Sequence, residues 1–167
     1  DMDSLRSAID EDTALIILEP IQGESGIIVA PDGFLQEVRN LCNEKGVLLI
    51  FDEIQAGLGR TGRLWAGEHW NTTPDILCLA KGIAGGVPMG ATLVRPDILA
   101  AISKGEHSST FGGNPISCAA GIAALTSITE DGLIENSKKM GEIFREGLEK
   151  LKEKHTMIRD IRGKGLM

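Results

Sequence analysis

The chain has 167 residues and a formal net charge of −7, which suits one domain or part of a larger one. The negative charge argues against nucleic acid or an anionic membrane as a partner. No apolar run approaches the roughly 18 residues of a membrane span. Cys42, Cys78 and Cys118 lack CxxC spacing, which indicates neither disulfides nor zinc and is typical of a reducing cytoplasm.

The first half of the chain predicts a strand, a helix and a second strand. Residues 14–18 form an apolar run that ends at Glu19. Asp32 is the predicted N-cap of a helix that Gly46 ends, and residues 47–51 form the second apolar run. Neither run alternates in polarity, so we expect a βαβ unit in a parallel sheet covered on both faces.

The next elements extend this sheet. Residues 57–67 read as a glycine- and arginine-bearing loop, and residues 76–80 as a third buried strand. A fourth strand at 90–94 follows too closely for a helical crossover, so we expect it to be antiparallel to its neighbour.

Three helices complete the predicted fold. A short helix is expected at 97–102, and Asn114 with Pro115 begins another that is rich in small residues through Ala124. The last helix is expected at 133–151, as a rod leading toward a second domain. Its predicted apolar stripe consists of Leu133, Met140, Phe144, Leu148 and Leu151.

Ionisable residues follow all three predicted parallel strands: Glu19, Asp52 and Lys81. The carboxyl ends of parallel strands meet at one crevice, where ligands bind. A lysine at the edge of a core is expected to be desolvated, which favours the neutral amine that attacks an aldehyde. An amine beside a carboxylate suits pyridoxal phosphate, and the hydroxyls of 108–110 before a helix N-terminus suit its phosphate.

Each feature also has a simpler interpretation. Lys81 could cap a strand at the surface, and Glu24 could be an ordinary loop carboxylate. Asp52–Glu53 after an apolar run is also typical of the acidic strand of a nucleotide-hydrolysing protein, although the phosphate-binding loop with its lysine does not occur. A non-catalytic fragment with a structural or interaction role is the remaining alternative. No metal site is predicted, and Trp65 and Trp70 are expected to pack in the core.

Four ordered motifs resemble the class III pyridoxal-phosphate aminotransferases, and within them the acetylornithine and ornithine aminotransferases. The motifs are Glu-Pro-Ile-Gln-Gly-Glu at 19–24, Phe-Asp-Glu-Ile-Gln-Ala-Gly-Leu-Gly-Arg-Thr-Gly at 51–62, Ala-Lys-Gly-Ile-Ala-Gly-Gly-Val-Pro-Met-Gly at 80–90 and Ser-Thr-Phe-Gly-Gly-Asn-Pro at 109–115. The resemblance implies an α/β fold of type I, with a mostly parallel sheet and helices on both faces. It implies that 1–131 is part of the large cofactor domain and that 132–167 begins the small domain.

The same resemblance assigns roles to cofactor-binding residues. It makes Lys81 the Schiff-base lysine and proton shuttle, and Asp52 the partner of the pyridinium nitrogen. It makes Gln55 a hydrogen-bond donor near the ring hydroxyl, and it places Ile54 against one face of the ring. Thr110 would bind the phosphate of the neighbouring subunit's cofactor, which implies a homodimer.

The resemblance also implies the reaction. Glu24 resembles the carboxylate gate that pairs with an arginine when the ω-amino donor binds and frees it for 2-oxoglutarate; Glu19 has a supporting role. Gln55 argues for an aminotransferase, because aminomutases of this class tend to carry Met there. The expected donor is acetylornithine or ornithine, in arginine and amino-acid metabolism of the cytoplasm; a 4-aminobutyrate or lysine-type ω-aminotransferase is the alternative.

Two parts of the resembling enzymes have no counterpart here: an N-terminal phosphate loop with its ring-stacking aromatic, and a C-terminal arginine for the substrate carboxylate. The chain opens on Asp1 and stops at Met167 where a further element would begin. We therefore expect an internal fragment of a longer enzyme, inactive by itself.

Overall fold

A mixed four-stranded sheet organises the chain in the computed structural model, which describes residues 1–24 and 26–167. The strands are β1 Leu15–Leu18, β2 Ile21–Gln22, β3 Ile28–Val29, β4 Leu48–Asp52, β5 Ile76–Leu79 and β6 Ala91–Val94. The helices are α1 Met2–Ala8, α2 Phe34–Lys45, α3 Pro96–Leu99, α4 Pro115–Glu130 and α5 Leu133–Lys154, with 3₁₀ helices at Ala66–Trp70 and Lys81–Ala84. None of these helices is long and apolar enough to cross a membrane.

The sheet has the strand order β1-β4-β5-β6. β1, β4 and β5 are parallel, with Leu18 opposite Phe51 and Phe51 opposite Leu77. β6 is antiparallel to β5. The predicted βαβ unit and the antiparallel fourth strand are thus confirmed, and the carboxyl ends of the three parallel strands lie at one edge of the sheet.

One face of the sheet forms the core. Leu49, Phe51 and Leu79 are buried on this face together with the apolar side of α2. Each such side chain contributes about 1.5–3 kcal/mol by burial. On the opposite face, Leu15 and Ile17 remain 43% and 57% exposed. The apolar strands predicted that both faces of the sheet are covered, whereas the described residues cover one of them. Continuous apolar strands show that both faces suit burial, but they do not show which segments cover them.

The two ends of α2 test the predicted helix signals. Gly46 adopts a left-handed φ of 67° and its N–H donates to the carbonyl of Cys42, as expected of a helix C-cap. The prediction of Asp32 as the N-cap is wrong, because Gly33 occupies that position with a φ of 82° and no side-chain cap. A tight turn, in which the N–H of Phe34 donates to the carbonyl of Pro31, moves the helix start one residue later.

The N-cap of α4 is confirmed. The side chain of Asn114 accepts a 2.9 Å hydrogen bond from the N–H of Ser117, and Pro115 is the first helical residue. The helix continues beyond Ala124 to Glu130. The short predicted helix at 97–102 is α3, which begins at Pro96 and ends at Leu99.

Helix α5 packs most closely through small residues, and the predicted apolar stripe is only partly buried. Ser137 and Gly141 are its buried residues, whereas Phe144 and Leu151 of the stripe are 65% and 46% exposed. The Ser137 hydroxyl donates to the carbonyl of Arg60 at 2.8 Å. Met140 and Leu148 of the stripe are half-buried, and the closest packing falls on Ser137 and Gly141 because a chain segment lies directly against the helix backbone, where only small side chains leave room.

A buried carboxylate, that of Asp75, stabilises the end of the sheet where the parallel strands begin. Asp75, which directly precedes β5, accepts hydrogen bonds from the N–H of Leu49 and from Arg39, both at 2.7 Å, and pairs with Arg95. Burial by itself would raise the pKa of Asp75. The Leu49 N–H and the Arg39 guanidinium outweigh burial, with help from Arg95, and hold this pKa below its usual range.

We predict that Asp75→Ala destabilises the purified protein by about 3 kcal/mol at pH 7, since it leaves a half-buried arginine and a backbone N–H without their acceptor. Because the pKa is lowered in the folded state, the carboxylate stabilises fully above the ordinary aspartate pKa of about 3.9 and loses its effect as pH falls through the lowered value. Urea unfolding at several pH values measures both effects.

The matched control for this experiment is Asp97→Ala, which removes an exposed carboxylate that also pairs with Arg95. This variant should leave the unfolding midpoint nearly unchanged, because exposed ion pairs contribute little. Equal destabilisation by the two substitutions would contradict the role of Asp75.

Candidate functional site

A cavity of about 740 Å³ lies at the edge where the parallel strands end. Three of the predicted site residues line it: Ile54, Gln55 and Lys81. Asp52 is the last residue of β4 and precedes this lining by two residues. The topology therefore brings the predicted amine and the residues around Asp52 to one place, although they are separated by nearly thirty residues in sequence.

Lys81 begins the 3₁₀ helix that follows β5 and has a left-handed φ of 47°, which is strained for a residue with a side chain. Its side chain is exposed. The expected desolvation at the core edge is therefore wrong for the described residues, because β5 ends two residues earlier and Lys81 faces an open cavity. A Cβ added at the adjacent Gly82 would meet no atom nearer than 3.9 Å, so the backbone here stays accessible.

Asp52 offers a carboxylate without a cation. Its Oδ1 accepts a 3.0 Å hydrogen bond from the N–H of Ile54, and among the described residues no Lys, Arg or His forms an ion pair with it. Its strand neighbour is Cys78, whose thiol pKa is raised by burial and by the negative charge of Asp52. A half-buried carboxylate whose second oxygen accepts no hydrogen bond from the described residues, two residues before the cavity-lining Ile54, fits a cationic ring nitrogen, and the residues present therefore fit pyridoxal phosphate.

Glu24 and Gln55 are joined by a hydrogen bond. Nε2 of Gln55 donates to Oε1 of Glu24 at 3.0 Å. The Gln55 amide also lies over Gly23, where an added Cβ would come within 2.5 Å of it. Glu19, which directly follows β1, also holds this loop, since its carboxylate accepts a 3.0 Å hydrogen bond from the N–H of Gly23. The loop after β1 is thus held over the cavity-lining Gln55.

Thr110 does not reach the cavity. It lies with the other predicted phosphate-binding hydroxyls, Ser108 and Ser109, in an exposed stretch before α4, and none of the three lines the cavity. The predicted role of Thr110 in a neighbouring subunit remains a prediction.

Several cavity residues were missed by the sequence analysis. Asn136 of α5 lines the cavity together with Leu166 and Met167, and so does Ile27 of the turn after Glu24. Leu166 is brought there by a hydrogen bond from its N–H to the carbonyl of Arg60 at 3.0 Å. No local pattern marks these residues, because helix α5 and the terminal segment reach the site only through the tertiary fold.

The two consecutive carboxylates after Phe51, those of Asp52 and Glu53, lie in different environments. Glu53 is 1% exposed and accepts hydrogen bonds from the N–H groups of Ala66 and Gly67 at 2.6 and 2.8 Å. Burial raises the pKa of Glu53, and these two hydrogen bonds oppose the rise. Both carboxylate oxygens of Glu53 therefore accept hydrogen bonds from the protein backbone, and the side chain is not available to a bound nucleotide. This counts against the nucleotide-hydrolysing alternative.

The sequence profile described as aminotransferase class-III matches residues 1–167. The chain belongs to the class-III aminotransferase family. An acetylornithine aminotransferase from Methanopyrus kandleri is 48% identical over 167 residues, which are 100% of this chain and 42% of that relative. The chain thus spans about two fifths of the length of the curated relatives it matches.

Solved structures of the family share this fold. The acetylornithine aminotransferase from Elizabethkingia anophelis superposes with a TM-score of 0.94 at 43% identity, over 99% of this chain and 42% of that one. An ornithine aminotransferase from Toxoplasma gondii is described with partial occupancy of pyridoxal phosphate at its active site. It superposes with a TM-score of 0.96 at 44% identity, over 99% of this chain and 40% of that one. The predicted α/β fold of type I is confirmed.

In this family member, we predict that Glu53→Ala speeds hydrogen exchange at the amides of Ala66 and Gly67 by at least about tenfold, because hydrogen bonds to a charged acceptor contribute about 1.5–3 kcal/mol. Mass spectrometry of the peptide over 64–70 measures the change. Glu37→Ala, which removes an exposed glutamate of α2, is the control and should leave exchange there unaltered. Unchanged exchange in Glu53→Ala would show that the carboxylate does not hold the 3₁₀ helix.

Proposed function

We propose that the protein is an aminotransferase that moves an amino group from an ω-amino donor of the acetylornithine or ornithine type to 2-oxoglutarate, with pyridoxal phosphate as cofactor. The observation that carries this proposal is that β4 and β5 bring Asp52 and Lys81 to the same end of the sheet, where Lys81 and the residues that follow Asp52 line one cavity. The family membership and the names of the curated relatives support the reaction class and the donor type.

Four residues of the chain would hold the cofactor. Lys81 would bind its aldehyde covalently, Asp52 would pair with its ring nitrogen, Ile54 would pack on the ring, and Gln55 would donate to the ring hydroxyl. When bound, the cofactor supplies an electron-withdrawing ring that stabilises negative charge at the Cα of the amino donor. Nζ of Lys81, once the donor's amine has displaced it from the aldehyde, would take the proton from that Cα and later return a proton, because a single amine at this position can serve as base and then as acid.

Substrate selection is assigned to the loop that follows β1. Glu24 would act as the gate: its carboxylate masks the arginine that binds α-carboxylates while the ω-amino donor is bound, and releases this arginine for 2-oxoglutarate. The hydrogen bond from Gln55 joins the Glu24 carboxylate to a residue that lines the cavity, which supports this role. Glu19 supports the loop from the strand end through its bond to Gly23.

The remaining assignments concern the assembled protein. Thr110 would contact the phosphate of a neighbouring subunit's cofactor, so a homodimer is proposed. Residues 1–131 would belong to the large cofactor domain and 132–167 to the start of the small domain.

Residues 1–167 expressed alone are expected to be inactive. Three free cysteines suit a reducing compartment, and the cytoplasm is proposed.

We predict that pyridoxal phosphate becomes attached to Lys81 when the full-length protein is incubated with it and reduced with borohydride. Peptide mass spectrometry should locate the adduct at Lys81, and Lys81→Ala should abolish both the adduct and the visible absorbance band. Lys45 and Lys104 are the internal controls. An adduct mainly on either of these lysines would reject the assignment.

Asp52→Asn should retain cofactor binding but lower kcat by at least about 10²–10³, since a neutral amide cannot hold the ring nitrogen protonated. Asparagine keeps the oxygen that accepts from the Ile54 N–H, so folding should be preserved. Glutamate formation from acetylornithine or ornithine with 2-oxoglutarate is the assay, and Asp32→Asn at the surface is the control. Activity within about twofold of wild type would contradict this role, and a preference for 4-aminobutyrate would contradict the proposed donor.

A further inference from the structure

The turn between β2 and β3 contains a strained residue. Gly26 and Ile27 both adopt positive φ angles, of 91° and 54°. Glycine reaches this region freely, but a β-branched isoleucine does so at a cost of about 1–3 kcal/mol. Such a conformation persists only where surrounding contacts hold it.

Arg162 supplies those contacts from the opposite end of the chain. Its Nε donates to the carbonyl of Gly26 at 2.7 Å and to that of Ile27 at 3.0 Å. Its Nη1 pairs with Asp160 at 2.5 Å, which orients the guanidinium. A Cβ at Gly26 would come within 2.9 Å of Nη2, so the arginine lies directly on the turn. Hydrogen bonds from a charged donor are roughly twice as strong as neutral ones.

The segment that carries Arg162 is itself anchored on both sides. Arg145 of α5 donates to the carbonyls of Ile161 and Gly163, at 3.3 and 2.7 Å. Further along, the N–H of Leu166 donates to the carbonyl of Arg60. The position of Arg162 is therefore set by α5 and by the loop after β4, and not by the turn that it contacts.

The same turn leads into the substrate-selecting loop. Glu24 lies two residues before Gly26 and accepts the hydrogen bond from Gln55. Ile27 lines the cavity together with Gln55 and Lys81. A displacement of the strained turn would consequently move both a cavity wall and the attachment point of the Glu24 carboxylate.

We propose that Arg162 is a positioning residue for substrate preference: it holds the turn at Gly26 and Ile27, and through this turn it keeps the Glu24 carboxylate on Gln55. This inference rests on the proposed function, because Glu24 selects between substrates only in an aminotransferase. Arg162 does not touch the substrate. Its loss lets Ile27 relax toward negative φ, and Glu24 then leaves the position in which it masks the α-carboxylate site.

The first measurement follows the turn and needs no activity. Arg162→Met keeps the aliphatic stem but removes the donors, so exchange of amides in the peptide over 20–30 of the full-length protein should rise by at least about tenfold. Arg159→Met is the matched control, since Arg159 is an exposed arginine of the same segment and forms no side-chain hydrogen bond with the described residues. Unchanged exchange in Arg162→Met would overturn the proposal.

The second measurement follows substrate preference. Stopped-flow kinetics give kcat/KM for the half-reactions with acetylornithine or ornithine and with glutamate. Glu24→Ala should favour glutamate, and Arg162→Met should shift the ratio in the same direction by at least about fivefold. In the double variant, Arg162→Met should add no further shift, because both changes act through the same carboxylate.

The possible outcomes separate the two proposals. A wild-type ratio in Arg162→Met, or the same shift whether or not Glu24 is present, rejects the positioning role while leaving the aminotransferase assignment standing. Absence of transamination in the wild-type protein rejects the proposed function. In that case, faster exchange in Arg162→Met still supports the hold on the turn, and unchanged exchange rejects it as well.

Discussion

The parallel pairing of β1, β4 and β5 is the constraint on which the site depends. Parallel hydrogen bonding brings the carboxyl ends of three separated segments to one edge of the sheet, and each of these ends carries or leads into an ionisable residue. Because one face of these strands is buried, a register slip of one residue would expose Phe51 and bury Asp52. The core that fixes the register therefore also fixes the placement of the carboxylate relative to Lys81.

The alternation that begins in β4 places two neighbouring carboxylates in two different environments. Asp52 follows the strand pattern and stays half-buried with a free oxygen, whereas Glu53 is buried under Ala66 and Gly67. The environments differ in the hydrogen bonds that the carboxylates accept: among the described residues, Glu53 accepts two from backbone N–H groups, whereas Asp52 accepts one, at a single oxygen. A carboxylate that can still accept hydrogen bonds is suited to binding a ligand. A carboxylate whose oxygens are both bonded to backbone N–H groups is suited to stabilising the fold.

Close backbone contacts join the terminal segment to the site. A Cβ at Gly141 would lie 2.1 Å from the carbonyl oxygen of Gly165, and one at Gly165 would lie 2.5 Å from the carbonyl carbon of Thr61. Glycine at these crossings lets α5, the loop after β4 and the terminal segment meet at main-chain distance. The segment can then present Arg162 to the turn at Ile27. The open sheet face around Ile17 agrees with a chain that spans about two fifths of its curated relatives.

Local chemistry in the sequence determined much of this protein. Apolar runs, the glycine after α2 and the asparagine before α4 predicted the elements, and ordered motifs predicted the family, because these signals act over a few residues. The tertiary structure decided the rest: the exposure of Lys81, the bond between Gln55 and Glu24, the packing of α5 through Ser137, and the hold of Arg162 on a turn 135 residues away. Each of these depends on contacts between distant segments, and sequence periodicity carries no information about which partner will lie opposite a given face.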